Sequence, residues 1–221
     1  MATSTAQRVG IWVIAGAMTI GTVAGFVAMI LAPQNEATDQ AKLKAAYEQY
    51  NKDMADYQKK VDAQAKQLSK KYYATFSKYN DEPAKFTASV IKKLKTTDLK
   101  KGTGAEIKDD SSFSAYYIGW NPKGKIFDQS ISGKSLKAPF PIEDLQNASV
   151  IEGWREGLKG MKIGGIRLIE VPADKAYGES GQGEDIPANT PLKFIVMPIT
   201  PDEKIPEPEM PKELKKLYGI E

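Results

Sequence analysis

The chain has 221 residues, with 31 basic against 28 acidic side chains and neither histidine nor cysteine. A Ser-His-Asp triad, a cysteine nucleophile, thiolate or imidazole metal sites and disulfide bonds are therefore excluded, so any folded part depends on an ordinary hydrophobic core. The length suits one domain with substantial extensions, or two small domains.

After a short N-terminal segment, residues 1–8, the chain carries an uncharged apolar run over residues 9–32. About 20 apolar residues in a helix cross the hydrocarbon core of a bilayer, so this run predicts an uncleaved transmembrane helix. A cleaved signal peptide is the rival interpretation, but its apolar region usually has only about 7–15 residues. Arg8 before the run and Glu36 after it favour a cytoplasmic N-terminus. We therefore expect a single-pass protein of the cell membrane with its C-terminal part outside the cytoplasm.

Residues 33–83 are predicted to form a charged helical stalk or linker. The stretch from Glu36 to Asn80 lacks glycine and proline and repeats apolar residues at intervals of three and four. This pattern favours a single amphipathic helix, with a short coiled coil or a helix laid against another surface as alternatives. The apolar stripe consists of Leu43, Tyr47, Tyr50, Met54, Tyr57, Val61 and Leu68. Gly21 and Gly25 form a GxxxG pair, so a homodimer through the span or the stalk is a further hypothesis.

Residues 84–200 have the pattern of an α+β domain. Runs rich in β-branched and aromatic residues predict strands over Ser89–Lys95, Ser112–Gly119, Ile166–Val171 and Leu192–Ile199. Between them, Ser149 and Glu152 match a capping box, which predicts a short helix that Gly160 can end. One short helix among several strands suggests an antiparallel sheet wrapped around that helix.

The last segment, residues 201–221, is rich in proline and acidic residues. This composition predicts an extended tail. A short helical turn is expected within it at Lys212–Tyr218.

Motifs for phosphate or metal chemistry are incomplete. Ser132 to Ser135 has the GKS ending of a phosphate-binding loop, but Asp128 occupies the position of its first glycine. The acidic pairs at residues 109–110 and 184–185 have no third ligand close by in the sequence. We therefore expect no cofactor, no metal and no nucleic-acid partner.

Residues 88–199 contain an ordered set of motifs. They are Gly102-x-Gly104, Tyr116-Tyr117-Ile118-Gly119, Gly124 to Ser130, Val150 to Leu158, Gly160 to Gly165, Ala176-Tyr177-Gly178, Ile186 to Asn189 and Leu192-x-Phe194. The set resembles the FKBP-type peptidyl-prolyl cis-trans isomerases. The resemblance implies an α+β fold, in which an antiparallel half-barrel sheet wraps around one short helix and leaves an apolar pocket between them.

The resemblance also implies the residues of the site. Trp154 would form the pocket floor, and Asp128 and Tyr177 would supply polar groups at the rim. The backbone N–H of Ile151 and the hydroxyl of Tyr177 would donate hydrogen bonds to substrate carbonyls. The residues assigned to catalysis are Tyr117, Phe127, Asp128, Ile151, Trp154 and Tyr177. Those assigned to substrate binding are Phe140, Val150, Ile186 and Phe194.

The implied reaction suits a chain without histidine or cysteine. Rotation about an amide bond has a barrier of about 18–20 kcal/mol, and an X-Pro bond is nearly isoenergetic between its two forms. A catalyst needs only to favour the twisted amide, without a nucleophile, a metal or a proton transfer. The expected function is therefore a membrane-tethered foldase for proline-containing polypeptides outside the cytoplasm, with macrolides as possible inhibitors.

Some positions depart from the family pattern. Ser149, Gln182 and Asp185 replace residues of other types, and the segment between Asp128 and Phe140 is longer than usual. These departures motivate the alternative hypothesis of a non-catalytic peptide-binding or chaperone module with the same fold.

Overall fold

The computed structural model of the protein describes residues 37–200 and 205–220. The N-terminal segment and the predicted membrane span at residues 9–32 lie outside this part. Within the described residues, no helix is long and apolar enough to cross a membrane. They group into two compact units, one of residues 37–63 with 205–220 and the other of residues 64–200.

Residues 37–200 and 205–220 form three α-helices and eight strands. The helices are α1 (Ala37–Phe76), α2 (Glu152–Gly157) and α3 (Lys212–Tyr218). The strands are β1 (Lys95–Lys100), β2 (Phe113–Trp120), β3 (Ile126–Gln129), β4 (Ile131–Ser132), β5 (Ser135–Leu136), β6 (Phe140–Ile142), β7 (Ile166–Val171) and β8 (Leu192–Ile199).

The smaller unit contains the first part of α1 and the C-terminal helix α3. The stripe residues of α1 in this unit are half-buried, and Leu214 of α3 is only 1% exposed. Burial, with the charge of Glu207 as a further cause, raises the pKa of Tyr50. The predicted helices of the stalk and of residues 212–218 are thus confirmed, and within this unit the C-terminal segment helps to bury the apolar stripe.

The larger unit is built on an antiparallel sheet with strand order β1-β7-β8-β2-β3. Strand β6 also pairs with β2, beyond the end of β3, and β4 and β5 form a separate hairpin. The strands predicted at residues 112–119, 166–171 and 192–199 are confirmed as β2, β7 and β8. The antiparallel α+β architecture expected from the sequence is therefore present.

Both faces of this sheet are buried. Side chains alternate between the two faces of a strand, and in β2 Phe113 and Ala115 join one apolar cluster while Tyr116 and Ile118 join another. The first cluster, on the inner face, includes Trp154 of α2. The second, on the outer face, includes residues from the last part of α1.

The outer cluster shows where the folded unit begins. Leu68, Tyr72 and Phe76 recur every four residues and so share one face of α1. Phe76 is 0% exposed, and its ring lies 6.1 Å from that of Tyr116. The larger unit accordingly starts near residue 64, well before the predicted domain boundary at residue 84.

The predicted strand at Ser89–Lys95 is wrong. Residues Ala88–Val90 form a 3-10 turn, and Val90 is 70% exposed, so the segment lacks the alternation of a half-buried strand. Pairing starts only at Lys95, which lies opposite Glu170 of β7 and forms an ion pair with it at 3.4 Å. Strand β1 is an exposed edge strand of lysines and threonines, a composition that discourages further pairing.

The predicted capping box is also wrong. Helix α2 starts at Glu152 with Ile151 as its N-cap, and no side chain of the described residues caps it. Ser149 is exposed, two residues before that cap. The carboxylate of Glu152 instead accepts a hydrogen bond from Lys175 at 2.6 Å, so it does not reach back to the helix start.

Candidate functional site

Helix α2 places Trp154 at the base of the site. Two glycines four residues apart, Gly153 and Gly157, lie on the side of the helix that faces β7. A Cβ at Gly157 would lie 2.8 Å from Ile169 Cγ2, and one at Gly153 would overlap Val171. Glycine at both positions lets the helix sit close against the sheet, and Trp154 between them is 5% exposed.

The C-terminal end of α2 is held by Arg167 of β7. One guanidinium nitrogen, Nη1, donates to the carbonyls of Gly157 at 2.8 Å and Lys159 at 3.1 Å, while Nε donates to Asp98 at 2.6 Å. The last carbonyls of a helix have no partner within the helix. This buried side chain therefore supplies donors for the short helix that carries Trp154.

Aromatic rings surround the indole of Trp154. Tyr117, Phe140 and Phe194 contact it edge-to-face, with ring centroids 5.3, 6.3 and 5.6 Å away. Phe127 in turn packs against Phe194 at 5.6 Å. This T-shaped arrangement is a favourable geometry for aromatic rings. The sheet and α2 together therefore build an aromatic enclosure.

Gly119 of β2 makes room for these rings. A Cβ there would lie 2.7 Å from both Phe127 Cζ and Phe194 Cε1, closer than carbon atoms approach without displacement. The glycine thus allows two aromatic side chains to approach the strand backbone.

Polar groups lie beside the enclosure. The hydroxyl of Tyr117 donates a hydrogen bond to the carboxylate of Asp128. Burial, followed by this hydrogen bond, raises the pKa of Tyr117, and burial followed by the charge of Asp128 raises the pKa of Tyr177. A phenol is already protonated at neutral pH, and these shifts extend that range upward, so both hydroxyls can act as donors.

The loop that carries Tyr177 is tied to α2. Lys175 donates to Glu152 at 2.6 Å and to Glu156 at 2.7 Å, and these hydrogen bonds are the main cause of its raised pKa. The hydrogen bond from Lys175 also lowers the pKa of Glu152. Tyr177 follows two residues after Lys175. The helix that carries Trp154 and the loop that carries Tyr177 are therefore linked by these hydrogen bonds.

Nine of the ten residues predicted for the site belong to the inner apolar cluster or pack against it. Three of them are buried, Trp154, Ile186 and Phe194. Six are half-buried, Tyr117, Phe127, Phe140, Val150, Ile151 and Tyr177. Asp128 is exposed. Sequence reasoning found no sign of Lys175 and Arg167, and it placed Gly119 in a motif without a role; all three act on the site through packing or hydrogen bonds across the fold.

Two of the positions that depart from the family pattern, Gln182 and Asp185, lie in a second loop. Gln182 and Ile186 form an isolated bridge. Asp185 accepts a hydrogen bond from Lys125 at 2.5 Å through its carboxylate, and one from Asn121 at 2.8 Å through its carbonyl. The acidic residue is thus partnered by a lysine, which reduces its effect on the neighbouring apolar surface.

Comparison with known proteins identifies the family. Residues 104–197 match the FKBP-type peptidyl-prolyl cis-trans isomerases. The chain is 37% identical over 99 residues to the FK506-binding protein of Neisseria meningitidis serogroup B, an alignment that covers 45% of this chain and 87% of that protein. The chain belongs to the FKBP-type peptidyl-prolyl cis-trans isomerase family.

Other relatives of the FKBP-type chain are longer proteins. It is 43% identical over 99 residues to FK506-binding protein 4 of Rhizopus delemar, which covers 45% of this chain and 25% of that protein. It is 35% identical over 137 residues to a probable FKBP-type peptidyl-prolyl cis-trans isomerase of Haemophilus influenzae, with 62% of this chain and 52% of that protein covered. The chain therefore spans a quarter to a half of the length of these two relatives.

Proposed function

We propose that this chain catalyses the cis–trans isomerisation of X-Pro peptide bonds. The observation that carries the proposal is the aromatic enclosure of Trp154 by Tyr117, Phe140 and Phe194. Twisting an amide removes its resonance and lowers its polarity, so an apolar, water-poor surface favours the twisted form over the planar one. Members of the family bind proline-containing peptides and macrolides, and both are proposed ligands of this enclosure.

Hydrogen-bond donors at the enclosure support the same reaction. The backbone N–H of Ile151, at the start of α2, donates to no acceptor within the described residues. The hydroxyl of Tyr177 is protonated at neutral pH, as an ordinary phenol is, and burial raises its pKa further. These two groups can bind the carbonyls on either side of a prolyl bond, while the aromatic rings hold the prolyl ring. No proton has to leave the substrate.

A proline-peptide isomerisation assay on the full-length chain tests the proposal. Trp154→Leu removes the base of the enclosure, and we expect kcat/KM to fall roughly tenfold or more, since small misplacements of a substrate can cost up to about a hundredfold. The matched control is Trp120→Leu, which removes a buried tryptophan from the outer cluster. We expect this control to lower stability and leave kcat/KM per folded molecule unchanged. A folded wild-type chain without activity would contradict the proposal.

A peptide-binding module is the second candidate function. The altered loop of Gln182 and Asp185, with Lys125 bound to it, favours this alternative because it changes the charged groups beside the enclosure. Titration with a proline-containing peptide separates the two functions. Saturable binding without acceleration of isomerisation would support the binding module.

We further propose that the catalytic unit is tethered to the cell membrane and acts on polypeptides outside the cytoplasm. The apolar run at residues 9–32 and the charges flanking it support this location. Retention in the membrane pellet after alkaline extraction is the expected result, together with cleavage of the C-terminal part by a protease added from outside. Recovery of the chain in the soluble fraction would contradict the tether.

A further inference from the structure

The long segment between Asp128 and Phe140 forms a hairpin beside the enclosure. Strands β4 and β5 pair in it, with Ile131 opposite Leu136. Both of these side chains are buried in the outer cluster with residues of α1. The tip of this segment therefore packs on the outer face of the sheet, next to α1. Its two ends, Asp128 and Phe140, are residues of the site.

Two hydrogen bonds attach this hairpin to α1. The hydroxyl oxygen of Ser69 accepts the backbone N–H of Leu136 at 2.8 Å. One turn later, the hydroxyl of Tyr73 donates to the carbonyl of Gly133 at 3.3 Å. Ser69 is only 7% exposed. Because the hydroxyl of Ser69 accepts a hydrogen bond from a buried backbone N–H, its removal leaves that donor unpaired and lowers the free energy of unfolding.

Further hydrogen bonds and an ion pair connect the hairpin to Tyr117 and Asp128 of the site. Lys137, the residue after Leu136, donates its backbone N–H to the carbonyl of Ser130 at 2.8 Å. Ser130 exchanges two hydrogen bonds with Tyr117, donating its N–H at 2.8 Å and accepting at its hydroxyl at 2.9 Å. The ammonium group of Lys137 lies 4.0 Å from the carboxylate of Asp128.

We propose that Ser69 is a positioning residue for the isomerase site. It holds the β4–β5 hairpin against α1, and the hairpin fixes Asp128 relative to the hydroxyl of Tyr117. This inference rests on the proposed isomerase function. Ser69 lies in the segment that was predicted as a stalk. The proposal gives this residue an influence on the catalytic efficiency of the site.

Full-length variants test this role. Ser69→Ala removes the acceptor, Ser69→Thr keeps a hydroxyl at the same position, and Gln67→Ala changes an exposed side chain of the same helical turn as a control. We expect Ser69→Ala to lower kcat/KM roughly threefold or more, per folded molecule and well below its unfolding temperature, mainly through a higher KM. Ser69→Thr should recover most of the loss, and Gln67→Ala should match the wild type. Tyr73→Phe removes only the second hydrogen bond, so it provides a milder variant if Ser69→Ala does not fold.

A double-mutant cycle with Asp128→Asn separates positioning from general stability. If Ser69 acts through Asp128, Ser69→Ala should change kcat/KM much less in the Asp128→Asn background than in the wild type. A lower unfolding temperature with unchanged kcat/KM would overturn the proposal, as would an equal loss in both backgrounds. An inactive wild-type chain would instead overturn the isomerase function itself, and the positioning role with it.

Discussion

The two faces of the main sheet have different roles in this protein. On the inner face, aromatic rings meet a helix of six residues and leave several side chains half-exposed around Trp154. On the outer face, the last part of α1 covers Tyr116, Ile118 and Met197, which are all buried. The strands that build the site are thus held from behind by a packed layer of side chains.

The difference lies in the polar groups of each face. On the inner face, the hydroxyl of Tyr117 donates a hydrogen bond to the carboxylate of the exposed residue Asp128, so a charged group lies beside the aromatic rings. The outer face is mainly apolar. The site and the layer that stabilises it thus lie on opposite faces. Substitutions on the inner face should therefore change kcat/KM, whereas substitutions on the outer face should mainly change the free energy of unfolding.

The largest expected effect is a loss of stability caused by a substitution on the outer face. Phe76→Ala removes a fully buried ring and leaves a cavity, so we expect the free energy of unfolding to fall by about 3–5 kcal/mol. Urea unfolding followed by circular dichroism measures it. Lys70→Ala, on the exposed side of α1, is the control and should change stability by less than about 0.5 kcal/mol. Equal values for the two variants would show that α1 does not cover the sheet in solution.

The next effect is on the inner face. Gly119→Ala places a methyl group against Phe127 and Phe194, so we expect the rings to shift, with a cost of about 1–3 kcal/mol in stability and a clear fall in kcat/KM. Gly160→Ala is the control, because it strains a backbone with φ of +72° without meeting any neighbouring atom. If both variants lose stability but keep full activity, Gly119 has no part in shaping the site.

A smaller effect of opposite sign is expected at Tyr116. Its hydroxyl is buried without a hydrogen-bond partner among the described residues, and burial raises its pKa. Tyr116→Phe removes this unpaired group, so we expect the protein to gain up to about 1 kcal/mol in unfolding free energy. Tyr117→Phe on the inner face is the comparison, and it should lower kcat/KM because it removes the donor to Asp128. Destabilisation by Tyr116→Phe would show that its hydroxyl has a partner in solution.

The smallest expected effect depends on pH. The hydrogen bond from Arg167 is the main cause that lowers the pKa of Asp98 in the folded protein. A lowered pKa means that the carboxylate stabilises the fold above its unfolded pKa of about 3.9, and that this contribution is lost as the pH falls below it.

Asp98→Asn isolates this contribution. Because the pair is partly exposed, we expect a difference from the wild type of about 0.5 kcal/mol at pH 7, which shrinks towards pH 3. Urea unfolding at several pH values gives the comparison. A difference that grows on acidification would have the wrong sign for this ion pair.

The fold of the inner face could be predicted largely from the sequence. Strands β2, β7 and β8 have β-branched and aromatic residues between turn signals, and the ordered motifs place Trp154 on a helix between them. The individual roles in the site came from the family resemblance, because a buried aromatic residue looks the same in sequence whether it fills a core or lines a pocket. Those roles remain predictions.

The covered outer face was present only as an alternative, a helix laid against another surface, although a clearer signal for it exists. Strand β8 is apolar at nearly every position, as in Phe194, Ile195, Val196 and Met197, and such a run is typical of a strand buried on both faces. The periodicity of α1 showed an apolar face but not its partner. Hydrogen bonds such as that of Ser69 join residues 67 positions apart, and no local pattern encodes them. The capping box failed for a similar reason, because a distant lysine binds Glu152.

The packing of α1 on the sheet separates two kinds of boundary in this chain. The segment that matches the family model begins at residue 104, but the segment that shares one hydrophobic core begins about forty residues earlier. A truncation at residue 104 would expose the apolar back of the sheet, where Ile118 and Trp120 lie. Such a surface promotes aggregation. The segment that defines the family in this chain is therefore smaller than the unit that buries the back of its sheet.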